Sequence, residues 1–79
     1  MLNAKTVGAV LREYRQRRGL TLSVASGLAG MSTAHLSKLE LGEKLANLNS
    51  IFKIAYALGV PPEEIVREID RRTQNELSL

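Results

Sequence analysis

Apolar residues recur at spacings of three and four along most of the chain, which is the repeat of an amphipathic α-helix. The first such stretch runs from Lys5 to Arg18. It ends before Gly19, because glycine readily adopts the left-handed backbone conformation found at helix C-termini. The apolar stripe of this helix, which we predict to face the core, consists of Val7, Val10, Leu11 and Tyr14.

The same repeat predicts four further helices and no strand. Three of them follow a residue that commonly caps helix N-termini. They are Leu22–Ala29 after Thr21, Thr33–Leu41 after Ser32, and Leu48–Leu58 after Asn47. The fifth helix begins at Pro61-Pro62, where a missing N–H costs nothing, and carries Arg71 and Arg72 in its last turn.

Each of these helices has an apolar side that is predicted to be buried. The residues are Val24, Ala25 and Leu28 in the second helix, Leu36 and Leu39 in the third, Leu48, Ile51, Phe52, Ile54, Ala55 and Leu58 in the fourth, and Ile65, Val66 and Ile69 in the fifth. Tyr56 is assigned to either the core or an interface. We therefore expect an all-α fold, a compact five-helix bundle over residues 1–72, with a polar tail, 73–79, that frays.

Length and composition narrow the class of protein. The 79 residues have room for one domain, and an apolar content of 44% is that of a folded globular chain. A core of this size is marginal, which favours self-association. No apolar run is long enough to span a bilayer, and no secretory signal is evident, so we expect a cytoplasmic protein that does not bind membranes.

Basic side chains are concentrated in the first half. The net charge is only +3, but residues 1–44 hold seven basic and three acidic side chains, whereas residues 45–79 hold four basic and five acidic ones. This asymmetry indicates a polyanionic partner for the first half. A solvated helix face would give the same pattern, so charge alone leaves both interpretations open.

The segment from Leu20 to Gly42 carries the functional signal. Two short helices joined at Gly30 must cross steeply, and Ser26, four residues earlier, is small enough for the crossing point. Leu36 and Leu39 follow the glycine by six and nine residues. This spacing is typical of a helix-turn-helix, in which the second helix enters the major groove of DNA.

The chain resembles the helix-turn-helix family of the phage Cro and repressor proteins and the xenobiotic-response-element (XRE) regulators. The resemblance runs from about Val7 to Val66. The matching segments are Leu11–Arg15, Arg18–Thr21, Leu28–Ser32, His35–Glu40, Gly42 and Ile54–Val60. It implies a compact five-helix fold and a DNA-binding function, with Thr33–Leu41 as the recognition helix.

The resemblance also implies roles for individual residues. Positions that commonly face base edges are occupied by Thr33, Ala34, Ser37 and Lys38. Lys38 is suited to guanine O6 and N7, and Ala34 and the Thr33 methyl group to a thymine methyl group. Positions near phosphates are occupied by Thr21, Leu22, His35 and Lys44. A solvated surface role remains the alternative for His35, and also for Arg17 and Arg18.

Two further positions follow from the resemblance. Many family members have Gln where this chain has Leu22, so a side-chain contact to phosphate is lost there and only the backbone N–H remains. Arg15 and Glu40 match a family ion pair that joins the first helix to the recognition helix. Such a pair would fix the angle of the recognition helix.

We expect a transcriptional regulator, a repressor or a controller of its own operon, that binds a palindromic operator as a homodimer. The predicted dimer surface consists of Val60, Pro62, Ile65, Val66 and Ile69. The alternative is an antitoxin-like or adaptor module that binds a protein partner. The sequence contains no Gly-rich phosphate loop, no nucleophile paired with a base and no cluster with the spacing of metal ligands. We therefore expect a protein that is not an enzyme and binds no metal or cofactor.

Overall fold

A computed structural model describes residues 1–78 as five α-helices. They are α1 (Ala4–Arg17), α2 (Leu22–Ala29), α3 (Thr33–Leu41), α4 (Leu48–Leu58) and α5 (Pro62–Leu77). The predicted all-α, five-helix architecture is confirmed, and the bounds of the first four helices agree with the sequence prediction to within one residue.

The helix ends follow the local chemistry of the sequence. Thr21, Ser32 and Asn47 each accept a backbone N–H bond through their side-chain oxygen at the N-terminus of α2, α3 and α4. Gly30 ends α2 in the left-handed conformation, with φ of 69°. Because such caps act within four residues, a sequence specifies them without reference to the rest of the fold.

The core forms around α1, which packs against α3 and α5 and, less extensively, α4, while α2 packs against α3 and α4. Leu11, Leu36, Leu39 and Ile65 are the largest fully buried side chains. The burial of the α1 stripe, including Tyr14, is confirmed.

Several residues predicted to be buried are exposed instead. In α2, Val24 and Leu28 face solvent, and the buried side is formed by Ala25, Ser26 and Ala29. Small side chains occupy that side because α2 crosses its neighbours closely. In α4, Leu48 and Phe52 lie outside the core, because the buried face is centred on the other four predicted residues, Ile51, Ile54, Ala55 and Leu58. Tyr56 is 69% exposed, so it is not a core residue.

The predicted dimer surface is wrong for three of its five residues. Val60, Ile65 and Ile69 are at most 6% exposed and belong to the hydrophobic core, where no second chain can reach them. Pro62 is half-buried, and only Val66 is exposed. An interface on this side of the molecule must therefore use other side chains.

The last helix is longer than the sequence predicts. α5 continues to Leu77, and Thr73 is buried within it, so residues 73–77 do not form a frayed tail. Tertiary contacts hold this polar segment. Thr6 on α1 donates its hydroxyl to Glu76, at 2.5 Å, and Arg72 donates both terminal nitrogens to Glu13 on α1. Leu79 lies outside the described residues.

Arg71 and Arg72 both donate to Glu68 along α5. Bonds from Arg71 first, and then from Arg72, lower the pKa of Glu68 to about 2. The bond from Arg72 likewise lowers the pKa of Glu13. Among residues 1–78, no helix is both long enough and apolar enough to cross a membrane.

Candidate nucleic-acid interface

Helices α2 and α3 are joined by a tight turn centred on Gly30. The N–H of Met31 donates to the carbonyl of Ser26 at 3.0 Å, and that of Gly30 to Gly27 at 3.2 Å. These two hydrogen bonds satisfy carbonyl groups at the end of α2 and fix the direction in which the chain leaves the helix. The N-terminus of α3 is then closed by Ser32, whose hydroxyl accepts from the N–H of His35 at 3.0 Å.

Ser26 lies at the crossing of the two helices, as the sequence predicts. It is 2% exposed, and its hydroxyl oxygen lies 2.9 Å from the hydroxyl oxygen of Thr33 on α3 and 3.0 Å from the carbonyl oxygen of Ser23. The two helices of the motif are therefore joined by a side-chain hydrogen bond as well as by the turn.

The candidate recognition helix, α3, lies directly against α1. A Cβ atom placed on Gly8 would lie 2.6 Å from the carbonyl oxygen of Glu40 and nearer still to that of Leu39. The backbones of α1 and α3 thus meet at Gly8 with no room for a side chain. This contact fixes the depth at which α3 lies on the body of the protein.

An ion pair between Arg15 and Glu40 fixes the orientation of α3. The Nε and Nη2 atoms of Arg15 donate to the two carboxylate oxygens of Glu40 at 2.8 and 2.9 Å, and Nη1 donates to the carbonyl of Leu20 at 2.8 Å. Both side chains are largely buried, and the bond to Glu40 raises the pKa of Arg15. One guanidinium group thereby joins α1 to α3 and to the segment that precedes α2.

The four candidate base-reading residues lie on one side of α3. Thr33, Ala34 and Lys38 are exposed and Ser37 is half-buried. Their spacings of one, three and four residues place them along one face, because a helix turns once in 3.6 residues. Leu36, Leu39 and Glu40 occupy the opposite, buried face. The face that points away from the body therefore carries two hydroxyl groups, one alanine methyl group and a single positive charge.

The candidate phosphate-binding residues lie at the start of α2, within α3 and just after α3. Thr21 and Lys44 are exposed, and Leu22 and His35 are half-buried. The Thr21 hydroxyl accepts from the N–H of Val24 at 3.1 Å, so it caps α2 rather than pointing freely into solvent.

Arg12 is a residue that the sequence analysis did not assign to this surface. It is exposed and lines a shallow depression of about 130 Å³ together with Leu22, Ser37 and Leu41. It therefore adds a positive charge between the N-terminus of α2 and the recognition face. No local sequence signal predicts this placement, because it depends on how α1 lies against α3.

Arg17 and Arg18, for which two roles were left open, have partners within the protein. The guanidinium carbon of Arg17 lies 4.8 Å from the centre of the Tyr14 ring. Arg18 donates to the carbonyl of Gly59 at 2.9 Å, at the end of α4. Both contacts are typical of structural surface arginines. Among residues 1–78, no three His, Cys, Asp or Glu side chains are grouped closely enough to hold a metal ion.

Comparisons with known proteins agree with this geometry. Residues 6–67 match the family described as "Helix-turn-helix domain". The chain is 33% identical over 66 residues to the uncharacterized HTH-type transcriptional regulator y4dJ of Sinorhizobium fredii, covering 84% of this chain and 86% of that protein. Five other regulators that it matches are longer, and the chain spans 24% to 46% of their length.

Solved structures show the same arrangement of helices. The clp gene regulator ClgR of Corynebacterium glutamicum superposes with a TM-score of 0.82 at 28% identity, over 91% of this chain and 94% of that one. The restriction-modification controller protein C.AhdI of Aeromonas hydrophila superposes with a TM-score of 0.76 at 29% identity, over 82% of this chain and 98% of that one.

Proposed function

This chain belongs to the helix-turn-helix family of Cro- and XRE-type transcriptional regulators, and we propose that it acts as a repressor, or as a controller of its own operon, by binding a palindromic operator as a homodimer. The observation that carries the proposal is the outward face of α3. It is built from Thr33, Ala34, Ser37 and Lys38, on a helix held from behind by Gly8. A rigidly mounted helix with small polar side chains fits the major groove, which is about 12 Å wide.

Contacts to the phosphate backbone would position this face. The first backbone N–H groups of α2 have no partner within the helix and so suit a phosphate, and the exposed Lys44 follows α3 in the chain. Leu22 contributes only its backbone N–H, and we propose that Arg12, which lies beside it, supplies a side-chain contact on this flank. His35 borders the same face and is a further phosphate candidate.

Two lysines separate base reading from phosphate binding. We expect Lys38→Ala to weaken binding to the best site by about 1–3 kcal/mol and to relax the preference at one base pair. Lys44→Ala should weaken binding to every sequence alike and make the salt dependence shallower. Titration of both variants with matched and mismatched operators tests this. An equal, sequence-independent loss in both would contradict the assignment of Lys38 as a base reader.

The dimer surface is best placed on exposed apolar residues of α4 and α5. Leu48, Phe52 and Tyr56 follow one another along α4, and their exposure is high for large apolar side chains. The rings of Phe52 and Tyr56 meet edge to face at 6.0 Å. Leu48 also lines a groove of about 620 Å³ together with Val66 on α5. We call these four residues the α4–α5 apolar surface.

This surface supports a homodimer because contiguous exposed apolar side chains commonly mark protein interfaces. It is formed by helices other than α3, so a twofold axis through it would leave both recognition helices free. In a dimer on a palindrome, these two helices must lie about 34 Å apart, one turn of DNA. Of the interface predicted from sequence, Val66 and the half-buried Pro62 are retained as candidates.

Oligomeric state tests the dimer surface. We expect the wild-type protein to sediment as a dimer at micromolar concentration and Tyr56→Glu to sediment as a monomer. Leu28→Glu is the matched control, because Leu28 is a large apolar residue of similar exposure that lies on α2. A monomeric wild-type protein that stays monomeric on DNA would refute the homodimer. Dimer loss in both variants would refute the placement on α4 and α5.

Selection of bound DNA from a random pool tests the function as a whole. The expected motif is an inverted repeat with half-sites one helical turn apart. Affinity should fall with salt, with a log–log slope of about −0.9 for each phosphate contact. A protein partner held by an apolar patch, the alternative function, would show little salt dependence. Failure to enrich any sequence would refute DNA recognition.

A further inference from the structure

The hydrogen bond between Ser26 and Thr33 bears on how the recognition helix reads bases. Thr33 is the first residue of α3 and a candidate base reader, whereas Ser26 is buried in α2. The Ser26 hydroxyl has two oxygen neighbours, the Ser23 carbonyl at 3.0 Å and the Thr33 hydroxyl at 2.9 Å. Thus a residue that no DNA can touch contacts one that lies at the proposed interface.

Which of the two hydroxyl groups donates follows from the number of hydrogens that each can supply. Each hydroxyl group has one hydrogen to donate, and a carbonyl oxygen can only accept. Only one arrangement makes both contacts hydrogen bonds: Ser26 donates its hydrogen to the Ser23 carbonyl, and Thr33 donates its own to Ser26. Thr33 then has no hydrogen left for DNA. It offers only an oxygen that accepts and a methyl group.

The rotamer of Thr33 is fixed by the same bond. Threonine branches at Cβ, so when its hydroxyl is held against α2, the position of its methyl group is fixed as well. An oxygen that only accepts, next to a methyl group, has a definite base preference in the major groove. An A·T pair offers the adenine amino group as a donor and the thymine methyl group as an apolar contact. Guanine offers two acceptors, N7 and O6, which such an oxygen cannot bind, whereas cytosine offers an amino group that it can bind.

We propose that Ser26 is a specificity-determining positioning residue: by taking the only hydroxyl hydrogen of Thr33, it makes that position favour a base with an amino donor, adenine or cytosine, and reject guanine. The inference rests on the proposed function, because it requires that α3 reads the major groove. It assigns a role in DNA recognition to a buried side chain that makes no contact with DNA.

Ser26→Ala tests the proposal with little risk to the fold. The substitution removes one oxygen from a buried position, and the Thr33 hydroxyl it releases is on an exposed residue, where water can bind it. Released, this hydroxyl can donate to guanine. Selection from a random pool should show the exclusion of guanine at one position in each half-site weakening by about five- to tenfold. The other positions of the motif should stay unchanged.

Thr33→Val provides the matched background. Valine keeps the methyl group and the shape of threonine but has no hydroxyl to orient. The Thr33→Val protein should retain its rejection of guanine, and adding Ser26→Ala to it should leave the motif unchanged. An effect of Ser26→Ala that persists in this background would overturn the proposal, because it could not act through the Thr33 hydroxyl.

The outcomes distinguish this role from a purely structural one. If Ser26 only fixes the crossing of α2 and α3, Ser26→Ala will weaken all sequences alike, and the preference at the Thr33 position will not move. That result overturns the proposal, as does an unchanged motif with unchanged affinity. If the wild-type protein selects no motif, the proposed function fails; if it selects one that Ser26→Ala leaves intact, only the present inference fails.

Discussion

Gly8 offers the sharpest test of how α3, the candidate recognition helix, is held against α1. It lies inside α1, where alanine would ordinarily be the better residue by about 1 kcal/mol. Here a Cβ atom would come within 2.6 Å of the Glu40 carbonyl oxygen and nearer still to that of Leu39. These are backbone atoms of α3, which cannot rotate away as the end of a flexible side chain can. Gly8→Ala must therefore push α1 and α3 apart.

The size of the effect follows from two opposing contributions. Forcing a methyl group into a filled contact typically costs about 1–3 kcal/mol, and the rigid partners place this site at the upper end. The higher helix propensity of alanine offsets about 1 kcal/mol of that cost. We expect a net loss of about 2 kcal/mol in the free energy of unfolding. For a domain of this size, that lowers the melting temperature by about 8–16 °C.

Gly27 provides the matched control. It also lies inside a helix, α2, but a Cβ atom there would meet nothing within 4 Å. Gly27→Ala should therefore raise the free energy of unfolding by about 0.5–1 kcal/mol. Thermal and denaturant unfolding of the two variants beside the wild type measure both effects. A Gly8→Ala protein as stable as the wild type would refute the close approach of α1 to α3.

Three other substitutions probe groups described above. Arg15→Ala should lower the free energy of unfolding by about 3–5 kcal/mol, because it leaves the Glu40 carboxylate buried without its partner. Arg71 and Arg72 lower the pKa of Glu68 to about 2. Their ion pairs with Glu68 therefore contribute stability that is present above pH 4.5 and is lost as the pH falls towards 2. Glu68→Gln should make the free energy of unfolding, measured with urea, fall less steeply over this pH range. Thr73→Val should stabilise the fold by about 1 kcal/mol, because the Thr73 hydroxyl is buried with no hydrogen-bond partner among the described residues.

Each of these has an internal control. If Arg15 acts through Glu40, combining Arg15→Ala with Glu40→Ala will cost less than the sum of the single substitutions. An acid profile of Glu68→Gln that parallels the wild type would contradict the ion pairs on α5. Thr73→Ser, which keeps the hydroxyl and loses the methyl group, should destabilise where Thr73→Val stabilises; the opposite order would indicate that the hydroxyl is bonded.

The ends of the first four helices were predictable because their causes are local. Thr21, Ser32 and Asn47 each bond to a backbone N–H three residues on, and Gly30 ends α2 through its own backbone. The buried side of a short helix is a different matter. Over the eight residues of α2, Val24 and Leu28 look like the core face, yet close crossing of the helices selects smaller side chains for burial.

The site was predictable in outline and incomplete in detail. The spacing around Gly30 located the helix-turn-helix that contains the candidate recognition helix, but Arg12 joins the surface only through the packing of α1 on α3. An isolated glycine within a helical pattern does not by itself signal a close backbone approach, because Gly8 meets the backbone of α3 whereas Gly27 meets nothing within 4 Å. The length of α5 had no local signal either, because its polar last turns are held by partners, Thr6 and Glu13, that lie about 60 to 70 residues away in sequence.

The guanidinium group of Arg15 has a consequence for protein engineering. It holds both the carboxylate of Glu40 and the carbonyl of Leu20, so the angle between the two helices of the motif is fixed from outside the motif. A synthetic peptide covering residues 20–42 would lack that restraint and would not keep the crossing angle. Grafting the segment onto another scaffold would succeed only if the host offered an arginine in the same place and a bare backbone opposite α3, as Gly8 provides here.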